Sequence, residues 1–588
     1  MNIKRFKNTV AVVLMTALMF SMTACNFGKN AENTQKAFDD FTWRVFEENV
    51  TADTITLHYT LADPKGYGIE APEVTLGEVD FSEETMKEEQ QEIKELLKEM
   101  EGFNYKKLTK DQQLTYDILK QDLQLSLEFY DFVYLYEPFA YTSGLQANIP
   151  ITLSEYKFYS EQDVEDYLMI LELIPDYFND YLEFERVKSE IGLFMNENCA
   201  EEVIRQCSDM IADPENIVLI PTFESRIEKV EGLSEAEKGA YIEENYNAVM
   251  EYVIPAYEKT IDVFEELKTT GENDLGLSYL EKGEEYYRYL LAADVGTNKT
   301  PEEVIKMLDE ALDETMSELY TAVMADYEGY LAYFDAYETL YENNQNDPAQ
   351  TIRFFEEAMG ERFPELPQVE FTVTPVHESL QSSVSPAFYM LPAIDRYEDN
   401  SIYINEGSTG VGALWATLAH EGIPGHMFQN VYFLSQNPEP IRKLLSFGGY
   451  DEGWATYVEM MSYEYYDFEK PLYGDMERIN AELNLLISAR VEIGVNYEGW
   501  TLEETESYLA DMGMDDSVAQ ELMDYVIAEP ANYQMYCTGW LEFEQLRDFA
   551  ESKLGDKFDE AEFHEVLLSA GPCQFNILRE RVIEYTNQ

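Results

Sequence analysis

Histidine is scarce in this chain, with five among 588 residues, and cysteine is equally rare, also five. None of the cysteines has the C-x-x-C spacing of a thiolate metal site. Cys25 lies at the end of a leader-like segment. The other four, Cys199, Cys207, Cys537 and Cys573, form an even set that leaves two readings open: the pairs Cys199–Cys207 and Cys537–Cys573, or buried free thiols. Basic residues are also few. Lys and Arg total 40 against 116 Asp and Glu, a formal net charge of -76 at pH 7. Such a chain repels nucleic acid and anionic lipid surfaces, so nucleic-acid partners are not expected and the charge serves solubility. Beyond the N-terminus there is no long apolar run, no internal repeat and no low-complexity linker that would cut off a separate domain.

What is present begins with a targeting segment. Lys4, Arg5 and Lys7 are a basic start, and residues 9–22 are an apolar stretch too short to span a bilayer comfortably. Met22-Thr23-Ala24-Cys25 then resembles a bacterial lipobox, which would make Cys25 the lipidated mature N-terminus. An uncleaved anchor or an ordinary signal peptide is the alternative. The expected division is a lipoprotein signal peptide over 1–25, a polar tether over 26–38 and a helical catalytic region over 39–588. Within that region an N-terminal helical part covers 39–365 and a metal-site part covers 366–588. The expected location is outside the cytoplasm, held to the membrane through the lipid only.

Hydrophobic residues make up 45% of the chain, enough for a sizeable core, and Tyr is abundant at 43. From residue 38 to about 360 the apolar spacing is helical, as over 83–100 and 110–131. Thr300-Pro301-Glu302-Glu303 predicts a helix start, with Thr as N-cap, Pro at the first position and Glu closing a capping box; Val304, Met307, Leu308 and Leu312 form the buried stripe. Residues 370–374, 387–391 and 401–405 are short, rich in β-formers and bounded by turn residues, and they predict a small sheet. The fold class is therefore mainly α with a small β-sheet. His377, in the sheet region, has no partner at ligand spacing and reads as structural. His564, on an amphipathic stretch, reads as satisfying a local hydrogen bond.

Two of the five histidines fall within seven residues, in His420-Glu421-Gly422-Ile423-Pro424-Gly425-His426. Zinc takes neutral imidazole nitrogens, and a catalytic zinc leaves one position open. In the common H-E-x-x-H pattern the histidines share a helix face. Here they are six apart, about 240° net on an unbroken α-helix, and would point apart. Gly422, Pro424 and Gly425 predict a broken or bulged helix that returns His426 to the metal. Glu421 is placed as a general base. Asp451-Glu452-Gly453-Trp454-Ala455-Thr456-Tyr457-Val458-Glu459 begins a second carboxylate-bearing helix that could supply a third ligand.

HEGIPGH followed by EGWATYVE resembles the bacterial domain-of-unknown-function family 885, marked by H-E-x-x-P-G-H and then E-G-W-A. Similarity continues at Gly283-Glu284-Glu285-Tyr286-Tyr287, at Thr300-Pro301-Glu302-Glu303 and over the tail 536–571. It covers most of the chain from about residue 39. The resemblance implies a large, two-lobed, gluzincin-like helical metallopeptidase in which an edge strand beside the cleft holds the substrate backbone. On this reading His420, His426 and Glu452 hold Zn²⁺, Glu421 is the general base, and Glu459, about two turns past Glu452, orients a ligand imidazole. Tyr536, in a stretch matching the family's Y-x-x-G, donates to the oxyanion. Arg547 pairs with a structural acid or with a substrate carboxylate. The chain departs from the family's D-x-G-x-H, having Glu492 for Asp and Asn496 for His, and Asn cannot shuttle a proton near neutral pH. The expected activity is zinc-dependent cleavage of short peptides. The alternatives are an inactive surface binding lipoprotein and a zinc hydrolase of a non-peptide amide or ester.

Overall fold

The structure, a computed structural model, describes residues 31–140, 143–341, 347–377, 381, 385–407 and 414–587. The lipobox and Cys25 lie outside the described residues. The first helix among the described residues spans Ala31–Val50, so residues 31–38, expected in the tether, are helical. Phe38, Phe41, Val45 and Phe46 are buried there. Their three-to-four spacing supplies an apolar stripe that ties this segment to the body.

Helices dominate, and their starts follow from side-chain caps. Thr109 with Gln112, Ser234 with Glu237, Thr300 with Glu303 and Thr501 with Glu504 each form a capping box. These satisfy amide groups that a helix start otherwise leaves without partners. The Pro301–Ala325 helix buries Val304, Met307, Leu308 and Leu312 along one stripe.

The sheet has three strands, β1 (Glu370–Pro375), β2 (Ala387–Met390) and β3 (Asp399–Ile404), in the order β1-β3-β2. β3 pairs with β1 in parallel and with β2 antiparallel, Phe388 opposite Tyr403 and Tyr389 opposite Ile402. All four residues of β2 are buried. Alternation sends Ala387 and Tyr389 into the large C-terminal core and Phe388 and Met390 into a second core built mainly from helices between residues 145 and 267. The sheet is therefore the seam between two hydrophobic cores, and the HEGIPGH segment lies against it.

Two close helix contacts set the geometry at this seam. The Gly448–Ser462 helix crosses the Asn532–Leu554 helix at Gly449, Gly453 and Gly539, where a side chain on Gly453 or Gly539 would overlap the facing backbone. The crossing brings Glu452 and Tyr536 together. The same helix start presses on an i→i+5 turn, Leu291–Val295, where Gly449 leaves room for the Val295 carbonyl. The four thiols Cys199, Cys207, Cys537 and Cys573 are buried and free, and neither candidate disulfide is formed.

Candidate metal centre

The Trp415–Glu421 helix stops where its sequence can no longer continue it. Gly422 leaves the helical region at φ -101, ψ -116, the Ile423–Pro424 peptide is cis, and a new helix begins at His426. Backbone bonds bridge the break, from Gly425 N to Ala419 O at 2.9 Å and from Phe428 N to Gly422 O at 3.2 Å. A Cβ at Gly425 would overlap the His420 carbonyl, so only glycine fits. The Trp454 indole N–H donates to Pro424 O at 2.9 Å and fixes the loop on the neighbouring helix. The result is a His420 ring 4.8 Å from that of His426, nearly perpendicular at 85°.

Glu452 joins them from the Gly448–Ser462 helix. One of its oxygens lies 3.4 Å from His420 Nε2 and 3.3 Å from His426 Nε2. Donor atoms of His420, Glu421 and His426 lie within 4.8 Å of one another. Glu459, two turns beyond Glu452, meets His420 Nδ1 at 2.9 Å. When the ring is neutral, an Nδ1–H donated to Glu459 leaves the Nε2 lone pair directed at the centre. Glu421 is held from the sheet, since the Tyr389 amide donates to its Oε2 at 2.8 Å.

Electrostatics follow from this crowding. Burial opposes a charge on His420, but the ring's hydrogen bonds to Glu452 and Glu459 and the charges of Glu459 and Glu421 outweigh it and raise its pKa to about 10. Glu452 is buried, which works against its charge, yet the two imidazoles hold its carboxyl well below the usual range. The Tyr536 phenol, 6.2 Å from the His420 ring centre to centre, is pushed far above its ordinary value by burial and by Glu452. It remains a protonated donor at any physiological pH.

The other singled-out residues lie elsewhere. His377 is exposed. His564 is fully buried, 3.0 Å from the Tyr457 hydroxyl and 2.7 Å from the Arg362 carbonyl, and burial drives its pKa down to about 4. Arg547 pairs with Glu551 at 3.3 Å and Glu560 at 3.2 Å, both structural acids. Glu492 and Asn496 are fully buried. The Asn496 amide accepts from Leu277 N at 3.2 Å and donates to Val526 O at 2.8 Å and Glu492 O at 3.3 Å, so the residue is committed to backbone.

A cavity of about 780 Å³ adjoins the centre, and Glu452 and Tyr536 line it. Its other walls come from segments far apart in sequence, with Phe129, Tyr286, Asp294, Phe388 and Glu529 among them. Two features of this region carry little sequence signal. The Tyr389 amide that positions Glu421 carries no residue-type signal because it is backbone. The cavity depends on long-range packing; its one local trace is the i→i+5 turn at Leu291–Val295, a feature that is frequent at functional sites.

The profile of the family described as bacterial protein of unknown function (DUF885) matches residues 75–582. Among solved structures the chain is similar to "the putative lipoprotein from Colwellia psychrerythraea", at 21% identity and TM-score 0.80, over 94% of this chain and 99% of that one. It is also similar to "a putative lipoprotein of unknown function from Shewanella oneidensis", at 18% identity and TM-score 0.63, over 94% and 99% of the two chains. At these identities the likeness is one of fold. No curated protein matches the chain.

Proposed function

The chain belongs to the DUF885 family of bacterial proteins of unknown function, and from that premise we propose that it is a zinc-dependent hydrolase of short peptides, with a gluzincin-like two-lobed cleft. The observation that carries the reading is the convergence of His420 Nε2 and His426 Nε2 on one oxygen of Glu452, at 3.4 and 3.3 Å. Two donors on a tetrahedral zinc, each about 2.0–2.2 Å from it, are about 3.3–3.6 Å from each other, so this donor set fits the ion. His420, His426 and Glu452 would hold it. When bound, zinc supplies Lewis acidity, polarising a carbonyl and bringing the pKa of water down to about 7.

The chain's own groups supply the rest. Glu459 fixes the His420 tautomer through Nδ1–H. Glu421, anchored through Oε2 by the Tyr389 amide, keeps Oε1 to accept a proton from the attacking water and to return it to the leaving amine. Tyr536 donates its O–H to the oxyanion that forms as the peptide carbonyl is attacked; one such donor is worth roughly 2.7–4 kcal/mol elsewhere. The adjoining cavity admits a few residues of peptide. Export and attachment through Cys25 complete the proposal, supported by the lipobox-like Met22-Thr23-Ala24-Cys25 and by the descriptions of the two structural neighbours as lipoproteins.

Metal analysis joined to a peptide panel tests the reading. The purified protein should carry about one zinc per chain and cleave peptides in a chelator-sensitive way. His426→Ala should lose both metal and activity and keep its helical content, since the body does not depend on this side chain. Full zinc occupancy in His426→Ala, or no cleavage of any peptide by the zinc-loaded protein, overturns it.

A further inference from the structure

The walls of the cavity beside Glu452 and Tyr536 have a one-sided chemistry. Among the described residues they carry seven carboxylates and a single cation, Arg205. Arg205 brings no free positive charge, because Glu202 and Asp209 already pair with it. Glu137 is neutralised from behind the wall by Lys188, a fully buried ammonium. Asp294 differs from these. It is half-buried, lines the cavity, and has no lysine or arginine partner among the described residues.

Its backbone is also fixed. Asp294 belongs to the Leu291–Val295 turn, packed against Gly448 and Gly449 at the start of the helix that carries Glu452. Near it the cavity is walled by Tyr286 and Tyr289, whose rings stack at 6.0 Å and 11°, and by Phe129. Asp294 is close enough to Tyr286 for its charge to help raise that phenol. An uncompensated carboxylate attracts a cation, and aromatic walls beside it can cover the apolar stem that carries the charge. An acidic ligand is repelled by the same carboxylate.

We infer that this cavity selects peptides bearing a positive charge and that Asp294 receives it. The cation is an ammonium or guanidinium, from a basic side chain or from the free peptide N-terminus. The inference rests on the hydrolase reading only in taking the ligand to be a peptide; Asp294 itself is a specificity determinant and takes no part in bond cleavage.

Binding separates the two claims. In the Glu421→Gln protein, which should hold peptides without turning them over, calorimetry would compare one short peptide frame carrying lysine, norleucine or glutamate at a single position. Each version would be made with a free and an acetylated N-terminus. At least one cationic form should bind about tenfold more tightly than its neutral counterpart, and the glutamate form should bind most weakly. The lysine–norleucine contrast reports a side-chain cation, and the free–acetylated contrast reports the N-terminus. Adding Asp294→Asn should bring cationic and neutral peptides within about twofold of each other. Should that variant fold poorly, raising salt from 0.05 to 0.5 M with Asp294 intact should erode the same preference. Equal binding of all forms, or a preference that survives Asp294→Asn or high salt, overturns the inference. Turnover of the same peptides by the unsubstituted protein scores the hydrolase reading separately. A cationic preference without cleavage sinks that reading and spares this one; cleavage without a preference does the reverse.

Discussion

Glu421 and Glu452 are both within reach of the same two imidazoles, so the question at the residue scale is which one binds metal and which one moves the proton. Glu452 meets Nε2 of both histidines. Glu421 is turned toward the sheet and bonded to the Tyr389 amide. Glu421→Gln retains a carbonyl to accept from that amide but cannot take a proton. It should keep its zinc and its melting profile and lose at least about a hundredfold in hydrolysis. Glu452→Gln should lose metal affinity first, so excess zinc should partly restore Glu452→Gln and leave Glu421→Gln inactive. Rescue of both variants by zinc, or near-normal turnover by Glu421→Gln, would remove these roles. Much of this centre is legible in the sequence. The two histidines, the breakers between them and the seven-residue step from Glu452 to Glu459 each state a local geometry. The Tyr389 amide is not legible, because any residue at that strand position offers the same N–H.

At the scale of elements, the centre is held by helices whose other faces are pinned elsewhere, and His564 is the clearest pin. It links Tyr457, on the helix of Glu452 and Glu459, to the Arg362 carbonyl, and it stacks on Phe363 at 4.5 Å. Its amphipathic surroundings reveal burial but not these partners, which lie about a hundred and two hundred residues away. Burial lowers its pKa from 6.5 to about 4. The folded state therefore favours neutral imidazole, while the unfolded chain protonates it below about pH 6.5. The stabilisation is fully present above pH 6.5 and is lost as the pH falls toward 4. At pH 5 the loss from this one group is about 2 kcal/mol. His564→Gln should melt lower than the parent at pH 7 and lose less between pH 7 and pH 5. Parallel falls in melting temperature for the two proteins would show that His564 does not set this sensitivity.

For the whole molecule, the helix-dominated architecture and the three strands can be read from caps and periodicity. The cavity cannot, because its walls come from segments near residues 122–151, 193–210, 273–294 and 525–536 that only tertiary packing brings together. The proposed attachment to a membrane is a whole-molecule property of the same kind. No helix among the described residues is long and apolar enough to cross a bilayer. A net charge of -76 repels anionic lipid surfaces. On the proposed reading the attachment is lipid on Cys25, and two acyl chains hold where one is only marginal. Cys25→Ser removes the thiol that would carry them and leaves the folded body as it is. That variant should move from the membrane fraction to the soluble extracytoplasmic fraction, with zinc content and peptide turnover equal to those of the parent. If it still sediments with membranes after a high-salt wash, electrostatics cannot be the cause, and an attachment other than lipid at Cys25 must hold the protein.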